Sequence, residues 1–111
     1  MTQKTNQIAK LNDLLRTTFN PMAGRVVLSQ GINALPQKDQ FKILGLVQSF
    51  NDFSNDNDPY GEHDCATFEY QGRRILWKID YYNKSYSAGS EHPEDPKQTN
   101  RVLTIMLGNE Y

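Results

Sequence analysis

The residue types in this sequence that can do chemistry gather in one stretch and its return strand. Glu62, His63, Asp64 and Cys65 lie on the first limb, Lys78 and Asp80 on the second. A histidine beside a carboxylate can act as a general base, because the carboxylate orients the imidazole and favours its charged form. Asp58, Glu62, His63 and Asp80 also form a nitrogen–oxygen ligand set of the kind a divalent ion takes. Both uses require His63 and Asp80 to face each other, and the local sequence makes them do so if it folds as a β-hairpin.

That hairpin follows from the alternation of residues 64–80. A two-residue turn at Gln71-Gly72 sets Glu69 opposite Arg74, Phe68 opposite Ile75, Ala66 opposite Trp77 and Asp64 opposite Ile79. Ala66, Phe68, Tyr70, Ile75, Trp77 and Ile79 then share one face, since strand side chains alternate. Cys65, Thr67, Glu69, Arg74, Lys78 and Asp80 take the other. A slip of one residue would put Lys78 among the core residues, which sheet pairing avoids. Extending the same register by one residue sets His63 across from Asp80 on the polar face. The bland alternative is a cross-strand polar pair that contributes a few tenths to about one kcal/mol.

Other motifs carry less. Asp56 to Gly61 opens like a calcium loop, but the position that needs a bidentate glutamate is Thr67. Cys65 faces Lys78, and a Cys65–His63–Asp80 relay is geometrically conceivable, yet no other base stands by the thiol. Glu91-His92 repeats Glu62-His63 in a second loop. Tyr82 is the aromatic on the polar face and a candidate for stacking, without a basic groove beside it. The sequence holds no phosphate-binding glycine loop, no serine-centred hydrolase elbow and no paired-cysteine zinc motif.

The elements that must position these residues are few. The 111 residues suit one domain, 1–111. Residues 3–19 have apolar side chains at helical spacing (Ile8, Leu11, Leu14 or Leu15, Phe19), with Lys4, Lys10, Asp13 and Arg16 on the other side. Asn20-Pro21 ends this helix. Arg25–Leu28 reads as a strand, and Gly31 breaks it. Pro36 opens a second helix, 37–50, with Ile43, Leu46, Val47 and Phe50 on one stripe. Gly45 lies off that stripe, as a close-approach point or a weak spot. Residues 51–61 are a loop, anchored by Phe53 and Tyr60. Residues 101–107 are apolar on both alternate faces and suit a buried strand; a helix capped by Thr99 competes with it. The sum is an α+β domain in the order α-β-α-β-β-β, with two helices on one face of a mainly antiparallel sheet.

Composition narrows the function classes. Net charge is −1, so the overall basic character of many nucleic-acid binders is missing. No Lys or Arg occurs between Lys42 and Arg73, where Asp52, Asp56, Asp58, Glu62, Asp64 and Glu69 do. This block repels phosphate and suits basic partners. One cysteine, a polar start and no apolar run of about 20 residues fit a cytoplasmic protein.

The segments Asp58–Asp64, Trp77–Tyr82, Gly89–Glu91 with Pro93 and Pro96, Arg101–Met106 and Glu110-Tyr111 occur in this order. With Leu11–Asp13 and Arg25–Val27, they resemble a family of small bacterial proteins known only as a domain of unknown function, over nearly the whole chain. The resemblance implies an accessory role on plasmids, phages and other mobile elements, and supplies no activity. Cys65-Ala66 stands where an aromatic–glycine pair is more usual, which counts against a catalytic Cys65.

The expected function is therefore protein–protein binding through an acidic surface of Asp56, Asp58, Glu62, His63, Asp64, Lys78, Asp80 and Tyr82, with no cofactor. Mimicry of nucleic-acid charge is one mode of such binding. The rival is a metal-dependent hydrolase or nuclease using Glu62, His63 and Asp80, with a divalent ion on Asp58, Glu62, His63 and Asp80. A homodimer paired through an exposed strand edge is a third reading.

Overall fold

The computed structural model describes residues 2–111. Helix α1 (Gln3–Thr18) opens at Thr2, whose hydroxyl accepts the Thr5 N–H at 3.0 Å. It closes at Phe19, in the left-handed region, just ahead of Asn20-Pro21. Its buried stripe is Ile8, Ala9, Asn12, Leu15 and Arg16. Two of those five are polar. Arg16 was expected on the solvent side and is instead buried, for reasons given below, while Leu14 is exposed.

Strand β1 (Arg25–Leu28) is followed by a single helical turn, α2 (Gln30–Asn33). Ser29 caps it by accepting the Ile32 N–H, and Ile32 is fully buried. Gly31 therefore lies inside a helical turn rather than merely ending a strand. The Glu110 carboxylate accepts from the Ser29 hydroxyl at 2.6 Å, the Gly31 N–H at 2.9 Å and the Leu107 N–H at 2.8 Å. It ties the C-terminal end of the chain to this turn. Helix α3 (Gln37–Ser49) buries Ile43 and Val47 but leaves Leu46 and Phe41 exposed.

The hairpin of β2 (Cys65–Tyr70) and β3 (Arg73–Tyr82) has the expected register, with Cys65 opposite Lys78, Ala66 opposite Trp77 and Phe68 opposite Ile75. Gln71 and Gly72 both have positive φ, 49° and 77°, as a tight hairpin turn that follows strand twist requires. Residues 101–107 belong to strand β4 (Asn100–Leu107), so the helical alternative is set aside.

The sheet order is β1-β4-β3-β2. β4 pairs antiparallel with β3 but parallel with β1, Arg25 aligning with Val102 and Leu28 with Ile105. The sheet is thus mixed, not mainly antiparallel, and the described residues hold three α-helices rather than the expected two, in the order α-β-α-α-β-β-β. Connecting parallel neighbours needs a long crossover, here everything from α2 through β3. Ile75, Trp77, Leu103 and Ile105 on one sheet face, with Leu15, Ile32, Ile43 and Val47 from the three helices, are all fully buried in one cluster. All three helices therefore pack on the same face. No helix of the described residues is long and apolar enough to cross a membrane.

Candidate functional site

The loop between α3 and β2 carries the acidic block, and its own side chains fold it. Asn57 accepts the Ser54 N–H through Oδ1 (2.7 Å) and donates to the Asp52 carbonyl through Nδ2 (2.7 Å). The Asp58 N–H reaches the Ser54 carbonyl at 2.8 Å, and the Gly61 N–H reaches the Asp58 carbonyl at 3.1 Å. Phe53 anchors the loop, edge-on to Phe50 and Trp77. Tyr60, the second expected anchor, is 80% exposed and anchors nothing.

His63 does not continue the strand. Its φ is +55°, and Gly61 two residues earlier is at +72°. A left-handed residue breaks the two-residue alternation on which the His63–Asp80 pairing depended. The hairpin ladder does reach Asp64, whose carbonyl accepts the Ile79 N–H at 2.7 Å, and stops there. The imidazole swings to the helix face. Its ring stacks on Phe53, 4.0 Å between centroids and 2° from parallel. Nδ1 lies 3.0 Å from both carboxylate oxygens of Asp13 on α1, and Nε2 lies 3.6 Å from Asp58 Oδ2. Asp58 also accepts the His63 backbone N–H at 3.2 Å. Two carboxylates thus bracket one ring and engage both of its nitrogens. That geometry suits a clamp between helix, loop and strand better than a base with a free nitrogen.

Arg16 extends the clamp. Its guanidinium donates to the Val47 carbonyl at 2.9 Å and the Phe50 carbonyl at 2.7 Å, at the C-terminal end of α3, and to Asp13 at 3.1 Å. It also lies over the Phe53 and Trp77 rings, at 5.4 and 5.1 Å. A cation serves the unpaired carbonyls of a helix end well, which is why this arginine is buried.

A second buried network lies alongside. Asn12, fully buried, donates to the Glu62 carbonyl (3.0 Å) and the Tyr81 hydroxyl (2.8 Å) and accepts from Arg101 Nε (2.9 Å). The Tyr81 hydroxyl in turn donates to Glu62 Oε1 at 2.7 Å. Burial pushes the Tyr81 phenol up, and the Glu62 carboxylate adds to the shift against an opposing contribution from Asn12. Burial lowers the Arg101 guanidinium.

The expected site residues therefore separate into two groups. Asp58 and His63 meet, with Glu62 next to them but bonded to Tyr81. Asp80 does not join them: it pairs with Lys78 on the sheet face opposite the helices. Tyr82 shares that face, tilted against Tyr86 at 5.7 Å. Asp56 is exposed, Asp58 is buried, and Asp64 is half-buried with its carboxyl pushed up by that burial. Among the described residues, no three His, Cys, Asp or Glu side chains are arranged to hold a metal ion. Cys65 is exposed, and His63 has left its face, so no Cys65–His63–Asp80 relay forms. Partial burial, then Asp64 and Asp58, push the thiol up, away from the thiolate a nucleophile needs. His92 faces Glu94 at 3.6 Å instead of echoing the His63 arrangement.

Asp13, Arg16 and Asn12 are the contributors that sequence reasoning missed; Phe53 was expected as a loop anchor, and its stacking on His63 is the addition. The one signal available for them was polar residues at helical spacing on an otherwise apolar stripe, at Asn12 and Arg16.

A family model described as a protein of unknown function (DUF3768) matches residues 28–110. That range takes in β2, β3, β4 and the acidic loop; the segments Leu11–Asp13 and Arg25–Val27 lie outside it. No curated protein and no solved structure matches the chain. On the extent of the family match, the chain belongs to the DUF3768 family of proteins of unknown function.

Proposed function

We propose that this protein works by binding another protein, one that presents basic residues, through the acidic loop of residues 52–64. The observation that carries the reading is the order of that loop. It has no helix or strand, yet five internal anchors fix it: Asn57, Asp58, Gly61, the Phe53 ring and the His63 clamp. A pre-ordered loop loses little conformational entropy on binding. It holds Tyr60 outward at 80% exposure with the exposed acids Asp52 and Asp56 nearby in sequence. An exposed tyrosine flanked by charge that is in no ion pair is a common centre of protein recognition. Residues 43–72 contain no Lys or Arg, so the loop itself supplies no cation to offset that charge.

In this reading the His63 clamp shapes the contact surface and is not itself the contact. The role fits an accessory protein of a plasmid or phage acting in the cytoplasm on a basic host or competitor protein.

The test is capture from a lysate of cells that carry the gene. Wild-type protein, an Asp52→Lys/Asp56→Lys variant and Tyr60→Ala are used as baits, and bound proteins are identified by mass. A basic protein held by the wild type and lost by both variants is the expected result. Equal capture by all three baits, or none by the wild type, contradicts the proposal.

A further inference from the structure

A second place in the molecule has the opposite character. A cavity of about 520 Å³ opens between the C-terminal half of α1, the turn after it, and the turns that flank the ends of β3 and β4. Its size lies within the range of small-molecule sites. Arg25, Lys84 and Arg101 contribute to its walls, and no Asp or Glu does.

None of these three cations has a carboxylate within ion-pair distance among the described residues. Arg25 lies over the Tyr86 ring at 5.4 Å. Lys84 reaches only the Asn100 side-chain oxygen, at 3.4 Å. Arg101 is set deeper: it is 3% exposed, its guanidinium donates to the neutral oxygens of Asn12 and Pro93, and it lies over the Tyr81 ring at 5.2 Å. Glu62 and Glu94 act on it only through space. Arg101 therefore adds positive potential from behind the wall, while Arg25 and Lys84 are exposed and open to an anion from outside.

Apart from Thr99 and Asn100, the remaining wall is largely apolar, and three of its large side chains are exposed. Leu14 is 47% exposed, Met22 92% and Tyr86 46%, and all three line this one cavity. Tyr86 is held there by a turn that tolerates a positive φ of 58°, fixed by Asn83 Oδ1 accepting the Ser87 N–H at 2.9 Å.

Cations on one side and exposed apolar side chains on the other define a complementary ligand. We propose that this cavity binds a small organic anion, in which a single carboxylate or phosphate group is joined to an apolar body. The charged group meets Arg25 and Lys84, with Arg101 behind them, and the body covers Leu14, Met22 and Tyr86. The inference is independent of the acidic loop, and neither depends on the other.

The test is an NMR titration of the full chain with 2-naphthoate and 2-naphthyl phosphate, against inorganic phosphate and the neutral 2-naphthylmethanol. Both naphthyl anions are expected to saturate at least about tenfold more tightly than either control, with amide shifts concentrated at residues 22–25, 84–86 and 100–101. The tighter of the two identifies the preferred charged group. Met22→Glu and the double variant Arg25→Gln/Lys84→Gln, all at exposed positions, are each expected to weaken binding about tenfold or more with the spectrum otherwise intact. The proposal is overturned if neither naphthyl anion saturates at millimolar concentration. It is equally overturned if inorganic phosphate or the alcohol binds as tightly, or if the shifts cluster elsewhere.

Discussion

His63 and Asp13, fifty residues apart in sequence, meet with the imidazole Nδ1 3.0 Å from both carboxylate oxygens. This contact joins the acidic loop to the first helix. Replacing either partner by Ala is expected to lower stability by about 1–2 kcal/mol. A double-mutant cycle is expected to return a coupling energy of about 1 kcal/mol, read from denaturant unfolding. Hydrogen exchange of residues 52–63 should quicken in both single variants. Unchanged exchange would show that the loop is ordered without the clamp.

Where this contact escaped sequence reasoning, the physical reason is local. Alternation placed Cys65, Lys78, Ala66 and Trp77 correctly, because β-strand geometry is periodic and the Gln71-Gly72 turn fixes the register. It failed at His63, because the backbone there is left-handed and periodicity ends. The parallel pairing of β1 with β4 was equally hidden. It joins segments far apart in the chain, and no local pattern encodes it. Helical spacing puts Arg16 on the side away from the apolar stripe, whereas the carbonyls at the end of α3 draw its side chain inward. The strand over residues 101–107 was legible because β-branched residues lie at its centre.

Asn12 is fully buried and bonds three partners at once. Asn12→Ala is expected to destabilise the fold by about 3 kcal/mol, since it leaves the Glu62 carbonyl, the Tyr81 hydroxyl and Arg101 Nε each short of a buried hydrogen bond and opens a cavity. Thermal unfolding checks the size. A loss well under 1 kcal/mol would mean that water replaces the amide without penalty.

Gly45 tests the helix it interrupts. A Cβ built there meets nothing within 4 Å, so the close-approach reading of this glycine does not hold. Gly45→Ala is expected to stabilise the protein by about 1 kcal/mol, seen as a rise in Tm of several degrees. No change, or a fall, would indicate a neighbour that the fold described here lacks.

Glu110 gives a pH signature. Hydrogen bonds from Ser29, Leu107 and Gly31 hold its carboxyl below the ordinary 4.5. A depressed carboxyl contributes stability above its unfolded-state value and loses it as pH falls through the folded-state value. The Tm difference between wild type and Glu110→Gln is therefore expected to be largest near neutrality and to shrink below about pH 4. A difference that stays constant from pH 7 to about pH 3 would show that these hydrogen bonds do not favour the ionised form.

The central claim is that the ordered acidic loop is a binding surface for a basic protein. Its most direct measurement is the affinity of the purified captured partner for wild-type and Asp52→Lys/Asp56→Lys protein across ionic strength. The predicted result is binding that weakens steeply with salt and falls about tenfold or more on charge reversal. Affinity indifferent to both salt and charge reversal would contradict it.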